Sequence, residues 1–376
     1  MSLTLANHNA SRLLGVDALR GVAAAMVLVF HYSTRFGQLH GPTPGLGFEF
    51  DGGRLGVQLF FMISGFVIFM TLDRTKHPSE FVVSRFSRLY PVFWVAVLLT
   101  GIAELATHTL GERYGFKTVA LNLLMVHGLF QVPDIDGAYW TLQVELLFYL
   151  SMLTVWLFFG FSHFRLLLAG WLALAFVKLA LTPWLGVSFP NVLTEFLVLD
   201  YIPWFAMGMV LYLSRNKNRH RADVALFALA IGCVACGTSV ELTLVTLGFA
   251  TLLAVAVIRP PAILLARPIV WLGAISYPLY LVHENLGYTF MLISARWGWT
   301  PWQSACVATA CALLLAWALH VLVERPAMFA IRKWHRRSVP LNSDRVFSEF
   351  DRRVWMLGVA VAACLLLIGN RISLMR

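Results

Sequence analysis

Charge is what this sequence most lacks. Only 13% of its 376 residues are Asp, Glu, Lys or Arg, and 59% are hydrophobic, whereas soluble domains carry about a quarter charged. With a mean hydropathy of +0.74, that balance excludes a disordered chain and argues against two soluble domains. Long polar stretches are also missing: none exceeds about 30 residues, so no soluble domain can be cut out. Cysteine is sparse. Cys233, Cys236, Cys306, Cys311 and Cys364 all fall in apolar runs, which leaves no disulfide framework and makes the Cys233/Cys236 pair helix surface, not a metal or redox site. The net charge of +10 would suggest a nucleic-acid partner if it lay on one exposed face. Instead the basic residues sit between apolar runs, so no nucleic acid and no metal are expected. No Gly-x-Ser-x-Gly elbow is present to suggest a covalent nucleophile.

What is there is a series of apolar segments, and the expected fold class is an all-α polytopic membrane helical bundle. A span needs about 20 apolar residues, and eleven stretches approach that: residues 14–32, 55–72, 89–105, 139–161, 164–181, 195–213, 222–238, 242–258, 269–293, 302–323 and 354–368. The apolar piece at 119–130 is too short to cross and suggests a re-entrant or interfacial helix. Positive residues are retained on the cytoplasmic side. With the N-terminus cytoplasmic, 20 of the 29 Lys and Arg fall in inside segments and seven in outside ones, leaving Arg20 and Lys178 within spans. The first apolar run carries Asp17 and Arg20 and no small-residue cleavage site follows it, so it is expected to remain as a span. The segment to 353, with Phe329, Trp334, Phe347 and Phe350 among basic residues, suggests an amphipathic stretch on the inner leaflet.

Ionisable residues inside spans are expensive, and each is a functional candidate. Arg20 and His31 are eleven residues apart, which places them on one helix face, about 20° apart in azimuth and about 16 Å apart along the axis. Asp17 is close enough to pair with Arg20, which is the structural alternative for both. Arg85 and Arg88 share a face at a spacing of three and can hold phosphate oxygens bidentately; a positive-inside anchor is the alternative. Glu145, about two turns into its span, must be protonated, paired or wet. His283 and Glu284 follow Ser276-Tyr277-Pro278, where Pro278 should kink the helix; a helix-to-helix hydrogen bond is the favoured reading of His283.

Taken together these segments resemble a known family. Val16-Asp17-Ala18-Leu19-Arg20-Gly21-Val22-Ala23-Ala24 ending at His31, followed by Leu55-Gly56-Val57-Gln58-Leu59-Phe60-Phe61-Met62-Ile63-Ser64-Gly65-Phe66, resembles the opening of the acyltransferase 3 family of integral membrane O-acyltransferases. Arg85-Phe86-Ser87-Arg88-Leu89-Tyr90-Pro91, Tyr139-Trp140-Thr141-Leu142-Gln143-Val144-Glu145 and Ser276-Tyr277-Pro278-Leu279-Tyr280-Leu281-Val282-His283 are similar to later motifs in the family's order. Five motifs in sequence are specific where one would be weak.

The likeness runs from residue 12 to 326, so the expected organisation is an acyltransferase domain at 12–326, a basic amphipathic segment at 327–353 and an additional transmembrane helix at 354–370. The resemblance implies transfer of an acyl group, usually acetyl, from cytoplasmic acyl-CoA to a hydroxyl of a cell-surface carbohydrate or its lipid-linked precursor. It also implies residence in the bacterial cytoplasmic (inner) membrane, with the lipid bilayer as surroundings. Some relatives carry an extra extracytoplasmic hydrolase-like domain; only 50 residues follow Pro326 here, which leaves acceptor choice to the membrane domain or a partner.

Phosphates of acetyl-CoA need guanidinium groups near the cytoplasmic mouth, which assigns Arg20, Arg85 and Arg88 to the donor. Attack by a hydroxyl needs a base neutral at pH 7, and burial favours an uncharged histidine, which assigns His31 as base. Glu145 is expected to orient the imidazole or stabilise its charged form. Asp17, Tyr139, Trp140, Gln143, Ser276, Tyr277 and His283 are supporting candidates. Ser64 and Ser276 are weak nucleophile candidates, better explained as helix-to-helix hydrogen bonds. Two alternatives stand: a transporter of an anionic solute whose pathway is Arg20, His31 and Glu145, and an acyltransferase acting on a small-molecule acceptor.

Overall fold

In hydrocarbon every backbone N–H and C=O must be satisfied within the protein, which leaves a chain this apolar the choice of helices or a closed barrel. The computed structural model describes residues 2–41, 46–110, 115–182, 189–216 and 220–338, and among them it is helical with no strand. Helix α1 (Ser2–Phe30) continues through a π-helical turn (His31–Arg35) into α2 (Phe36–His40). Then come α3 (Gly56–Arg74), α4 (Pro78–Thr107), α5 (Phe116–Asn122), α6 (Trp140–Phe159), α7 (Phe164–Phe176), α8 (Asn191–Phe196), α9 (Ile202–Asn216), α10 (Arg221–Gly237) and α11 (Val240–Ile258). A π-helical turn (Val177–Leu181) also follows α7, and the described part closes with α12 (Arg267–Val282), α13 (Glu284–Arg296), α14 (Pro301–Leu319), a third π-helical turn (His320–Glu324) and α15 (Arg325–Ser338).

Six stretches are long and apolar enough to cross a membrane: Leu14–His40, Asp51–Arg74, Pro78–Thr107, Gly137–Phe159, Val240–Ile258 and Pro301–Arg337. This is the helical architecture expected of a polytopic membrane protein. Other expected spans are shorter or interrupted. The stretch at 195–213 is divided between α8 and α9, and the one at 269–293 breaks at His283 into α12 and α13. Pro278 stays inside α12; the interruption falls five residues later. The piece at 119–130 becomes the short α5 and a 3-10 turn at His127–Phe130. The expected span at 354–368 and residues 339–353 lie outside the described residues.

Helix starts follow local chemistry. Thr300 caps α14, its Oγ1 accepting from the Gln303 amide while Gln303 Oε1 accepts from the Thr300 amide, and Pro301 occupies the first turn. Pairing of helices follows the small residues. The most extensive contacts are α1 on α12 and α3 on α9, and both crossings are backbone to backbone. A Cβ added at Gly273 would strike the Asp17 carbonyl, and one at Gly208 or Gly65 would strike the Met62 or Phe205 carbonyl. Helix α1, packed on α3, α11 and α12, is therefore held at fixed depth in the bundle, which positions the polar residues on it.

If these crossings set the bundle, Gly208→Ala forces α3 and α9 apart and lowers stability by roughly 1–3 kcal/mol, the usual cost of overpacking. Thermal unfolding in detergent, compared with an alanine placed at Gly232, which has open space around it, measures the difference.

Candidate active site

The first polar centre forms where α12 ends inside the bundle. Terminating a helix leaves its last carbonyls without intrahelical donors, and here side chains serve two of them, at Tyr280 and Leu281, while a third reaches the N-cap carbonyl of α13 at His283. His283 Nδ1 lies 2.9 Å from the Tyr280 carbonyl, Tyr139 Oη donates to the Leu281 carbonyl at 3.1 Å, and Tyr32 Oη donates to the His283 carbonyl at 2.7 Å. A carbonyl only accepts, so Nδ1 of His283 carries a proton. Its Nε2 is then the acceptor of a neutral ring, and it lies 2.6 Å from His31 Nδ1. His31 must donate there, which leaves the lone pair of its own Nε2 free. The two rings meet edge to edge, 24° from coplanar, with centroids 4.8 Å apart, and both are buried. The order of protons along Tyr280 carbonyl, His283 and His31 therefore ends in a basic nitrogen.

A carboxyl group borders that nitrogen. Glu284 Oε2 is 3.7 Å from His31 Nε2 and has no hydrogen-bond partner among the described residues. Asp136 is fully buried, its Oδ1 accepting from the Ala138 amide and its Oδ2 from the Asn285 amide, both at 3.0 Å. This ties the start of α6 to the start of α13. Burial raises the Asp136 carboxyl above the usual carboxylate range, while the two amide donors pull it down. The Glu284 carboxyl lies against the bare backbone of Gly137, where a Cβ would displace its Oε1.

The second centre gathers the arginines. Arg20, Ser64, Glu145, Ser276, Tyr277 and Tyr280 line a cavity of about 40 Å³. Ser64 Oγ and Tyr149 Oη both donate to Glu145 Oε1, the latter at 2.5 Å. The Arg85 guanidinium lies over the rings of Phe81 and Tyr149, 5.9 Å from each centroid, and Arg88 pairs with Glu324 at 3.9 Å. Tyr277 Oη donates to the Leu89 carbonyl at 2.8 Å, fixing α12 to α4 beside Arg88. Arg20, Arg85, Arg88 and Glu145 lie within electrostatic range of one another. Tyr280 joins the two centres: it lines the cavity, its hydroxyl pairs with Thr141 at 2.8 Å, and its ring centroid is 5.6 Å from that of His283.

Of the residues singled out in the sequence, the structure brings His31 to His283, and Arg20, Arg85 and Arg88 to Glu145. It does not bring Glu145 to His31. Glu145 is occupied by Ser64 and Tyr149, about one turn past Thr141 on α6, and the carboxylate beside His31 is Glu284. Asp17 and Arg20 form no ion pair among the described residues; Asp17 contributes its backbone to the Gly273 crossing. Ser276 Oγ donates to the Gly273 carbonyl at 2.8 Å. Trp140 is exposed and faces Tyr201, 5.5 Å between centroids, and Gln143 lies against Gly128. Asp136, Tyr32 and Tyr149 were not among the sequence candidates. The one local signal for Asp136 is its place just before Gly137, capping the turn that opens α6.

The chain is similar to known proteins over most of its length. The profile of a family described as an acyltransferase domain matches residues 13–321. Nodulation protein 10 of Rhizobium leguminosarum bv. viciae is 27% identical over 360 residues, 85% of this chain and 95% of that protein. The putative membrane-bound transacylase BcsY of Komagataeibacter xylinus is 26% identical over 340 residues, 83% of this chain and 82% of its own length. The O-acetyl transferase of Shigella phage Sf6 is 31% identical over 147 residues, 36% of this chain and 43% of that protein. No solved structure matches the chain significantly.

The proton order is directly observable. In protein carrying 15N-labelled histidine, His31 and His283 should both show protonated Nδ1 and bare Nε2. Protonated Nε2 on either ring would contradict the deduced chain.

Proposed function

Because the chain belongs to the acyltransferase 3 family of membrane acyltransferases, we propose that it moves an acyl group, acetyl in the simplest case, from acyl-CoA on the cytoplasmic side to a hydroxyl of a cell-surface carbohydrate or its lipid-linked precursor. The names of the phage O-acetyl transferase and of an exopolysaccharide production protein, 36% identical over 118 residues, support O-acetylation of a glycan. The observation that carries the reading is the free lone pair on His31 Nε2 at one end of a bundle whose other end gathers three arginines.

In this mechanism His31 Nε2 takes the proton of the acceptor hydroxyl as its oxygen attacks the thioester carbonyl. The tetrahedral intermediate collapses, the carbon–sulfur bond breaks, and the imidazolium returns the proton to the departing CoA sulfur. His283 holds the ring through Nδ1 as a triad's third member does. Glu284, at 3.7 Å, stabilises the imidazolium, the part first expected of Glu145. Glu145 instead belongs to the donor end, where Arg20, Arg85 and Arg88 bind phosphates and the carboxylate holds Tyr149 beneath Arg85. Direct transfer in a ternary complex fits this set better than an acyl-enzyme, since among the described residues no serine or cysteine is bonded to the proposed base His31.

Arg20 and His31 are about 16 Å apart along α1, a distance an extended pantetheine arm spans. A cavity of about 40 Å³ has room for a water or two but not for that arm. Donor binding therefore separates α12 from α6 along the Thr141–Tyr280 contact.

The test is activity of the purified protein toward acetyl-CoA and a glycan acceptor, paired with mass spectrometry of envelope glycans from cells with and without the gene. A mass difference of one acyl group is expected. His31→Ala should lower kcat by about 10²–10⁴-fold, the span of general-base catalysis, and Glu284→Gln should slow the chemical step more than Glu145→Gln. Arg85→Ala should raise KM for acetyl-CoA by about tenfold. Identical envelope masses together with full activity of His31→Ala would sink the proposal.

A further inference from the structure

Beyond residue 321, where the family match stops, the chain continues through the π-helical turn into α15, and this helix returns to the donor end. The helical stretch Pro301–Arg337 is 37 residues long, about 55 Å at 1.5 Å per residue against a hydrocarbon core of about 30 Å. Its last turns therefore stand beyond the core. They are not free in water either, because α15 packs on α4. Arg332 Nε donates to Ser87 Oγ at 3.2 Å, and Ser87 is the buried residue between Arg85 and Arg88. Phe329 and Trp334 are exposed on other parts of the same helix.

The outcome is a row of guanidinium groups with too few acids. Arg88 has Glu324, already bonded to His320 at 2.7 Å. Among the described residues, Arg85, Arg332 and Arg336 form no ion pair, and Arg85 Nε is buried with no hydrogen-bond partner at all. Arg332 lies within electrostatic range of both Arg88 and Arg336. Like charges brought together and held by a bond to neutral Ser87 repel one another unless an anion enters. Exposure also rises along the row: Arg85 Nε is buried, Arg88 has a quarter of its side chain exposed, Arg332 is half-buried and Arg336 is exposed.

We propose that α15 supplies the outer part of the donor site, with Arg332 and Arg336 binding the 3′-phosphate of acyl-CoA while Arg85 and Arg88 take the pyrophosphate. The assignment rests on the donor reading given above. It follows from the order of charges in the ligand, in which the thioester goes deepest, the pyrophosphate follows, and the dianionic 3′-phosphate on the adenosine ribose comes last. A phosphoryl group of an anionic lipid has the same chemistry as a 3′-phosphate, and α15 lies at the right depth for either. The choice falls on CoA because Arg332 is turned onto α4 between the two inner arginines and not outward to lipid.

Binding of CoA and of 3′-dephospho-CoA to the full chain in nanodiscs of neutral lipid, with and without added anionic lipid, tests this. Wild type should prefer CoA by about tenfold or more, the worth of one charge-assisted contact pair. Arg332→Ala should erase that preference, weakening CoA by about tenfold and leaving 3′-dephospho-CoA within about twofold. Among the described residues Arg336 makes no hydrogen bond or ion pair that Arg336→Ala would remove, so this variant should shift CoA in the same direction at little cost to the fold. Equal weakening of both ligands, or none, overturns the assignment, as does an effect confined to nanodiscs with anionic lipid, which would make this a headgroup site. Wild type that binds CoA and loses it in Arg332→Ala but not in Arg85→Ala would instead strike at the inner donor site. Wild type that binds neither ligand overturns both.

Discussion

Two buried imidazoles in contact through their nitrogens allow only one neutral arrangement once a third group dictates where the first proton sits. In this bundle that group is the Tyr280 carbonyl, left without a helical donor because α12 stops at Val282. Closing the helix there would remove the acceptor, and with it the reason for His283 to present a bare Nε2 to His31. The Tyr139 bond follows from the same break, since the Leu281 carbonyl would be unsatisfied in an apolar interior without it, while Tyr32 reaches the His283 carbonyl at the N-cap of α13. So the interruption of one helix determines the tautomer of a residue 252 positions away.

Distance between the two polar centres has its own electrostatic logic. A positive imidazole formed 4 Å from an arginine would be opposed by about 4 kcal/mol at an effective dielectric constant of 20, whereas at 16 Å the opposition falls to about 1 kcal/mol. Arg20 and His31 stand on one helix about three turns apart, so under the proposed mechanism a phosphate-binding cation and a base can exist in the same apolar bundle. On that proposal the ligand bridges the gap, past the apolar cavity walls of Val57, Phe60 and Phe61.

Much of this was legible in the sequence because it depends on a single helix. The shared face of Arg20 and His31 follows from eleven residues at 3.6 per turn, and the Arg85/Arg88 pair follows from a spacing of three. The partner of His31 was not legible. Azimuth on α6 points Glu145 inward, but depth decides what it meets, and about a turn and a half into the helix it lies level with Ser64 and Arg85. At the level of His31 the chain is still in the loop before α6, where Asp136 looks like an ordinary interfacial acid until α13 covers it. The break at His283 was hidden for a similar reason: a hydropathy window averages over 269–293 and cannot register one interrupted hydrogen bond. The expected last span at 354–368 stays untested, since it falls beyond the described residues.

Interruptions of regular helix recur where polar function collects. His31 opens one π-helical turn, Lys178, paired with Asp200, lies in a second, His283 sits between two helices, and Glu324 closes a third π-helical turn. A π turn holds one residue more than the α ladder, and the side chains after it are rotated by roughly 100° relative to an unbroken helix. After His31 this faces Tyr32 toward the His283 carbonyl. After His320 it sends α15 along α4, so that Glu324 meets Arg88 and Arg332 meets Ser87. Each such turn gives up regular hydrogen bonding in a medium where that is costly, and elsewhere in α3, α6 and α14 the ladder runs without it. The cost is borne where a side chain has to leave the face its helix would otherwise assign it.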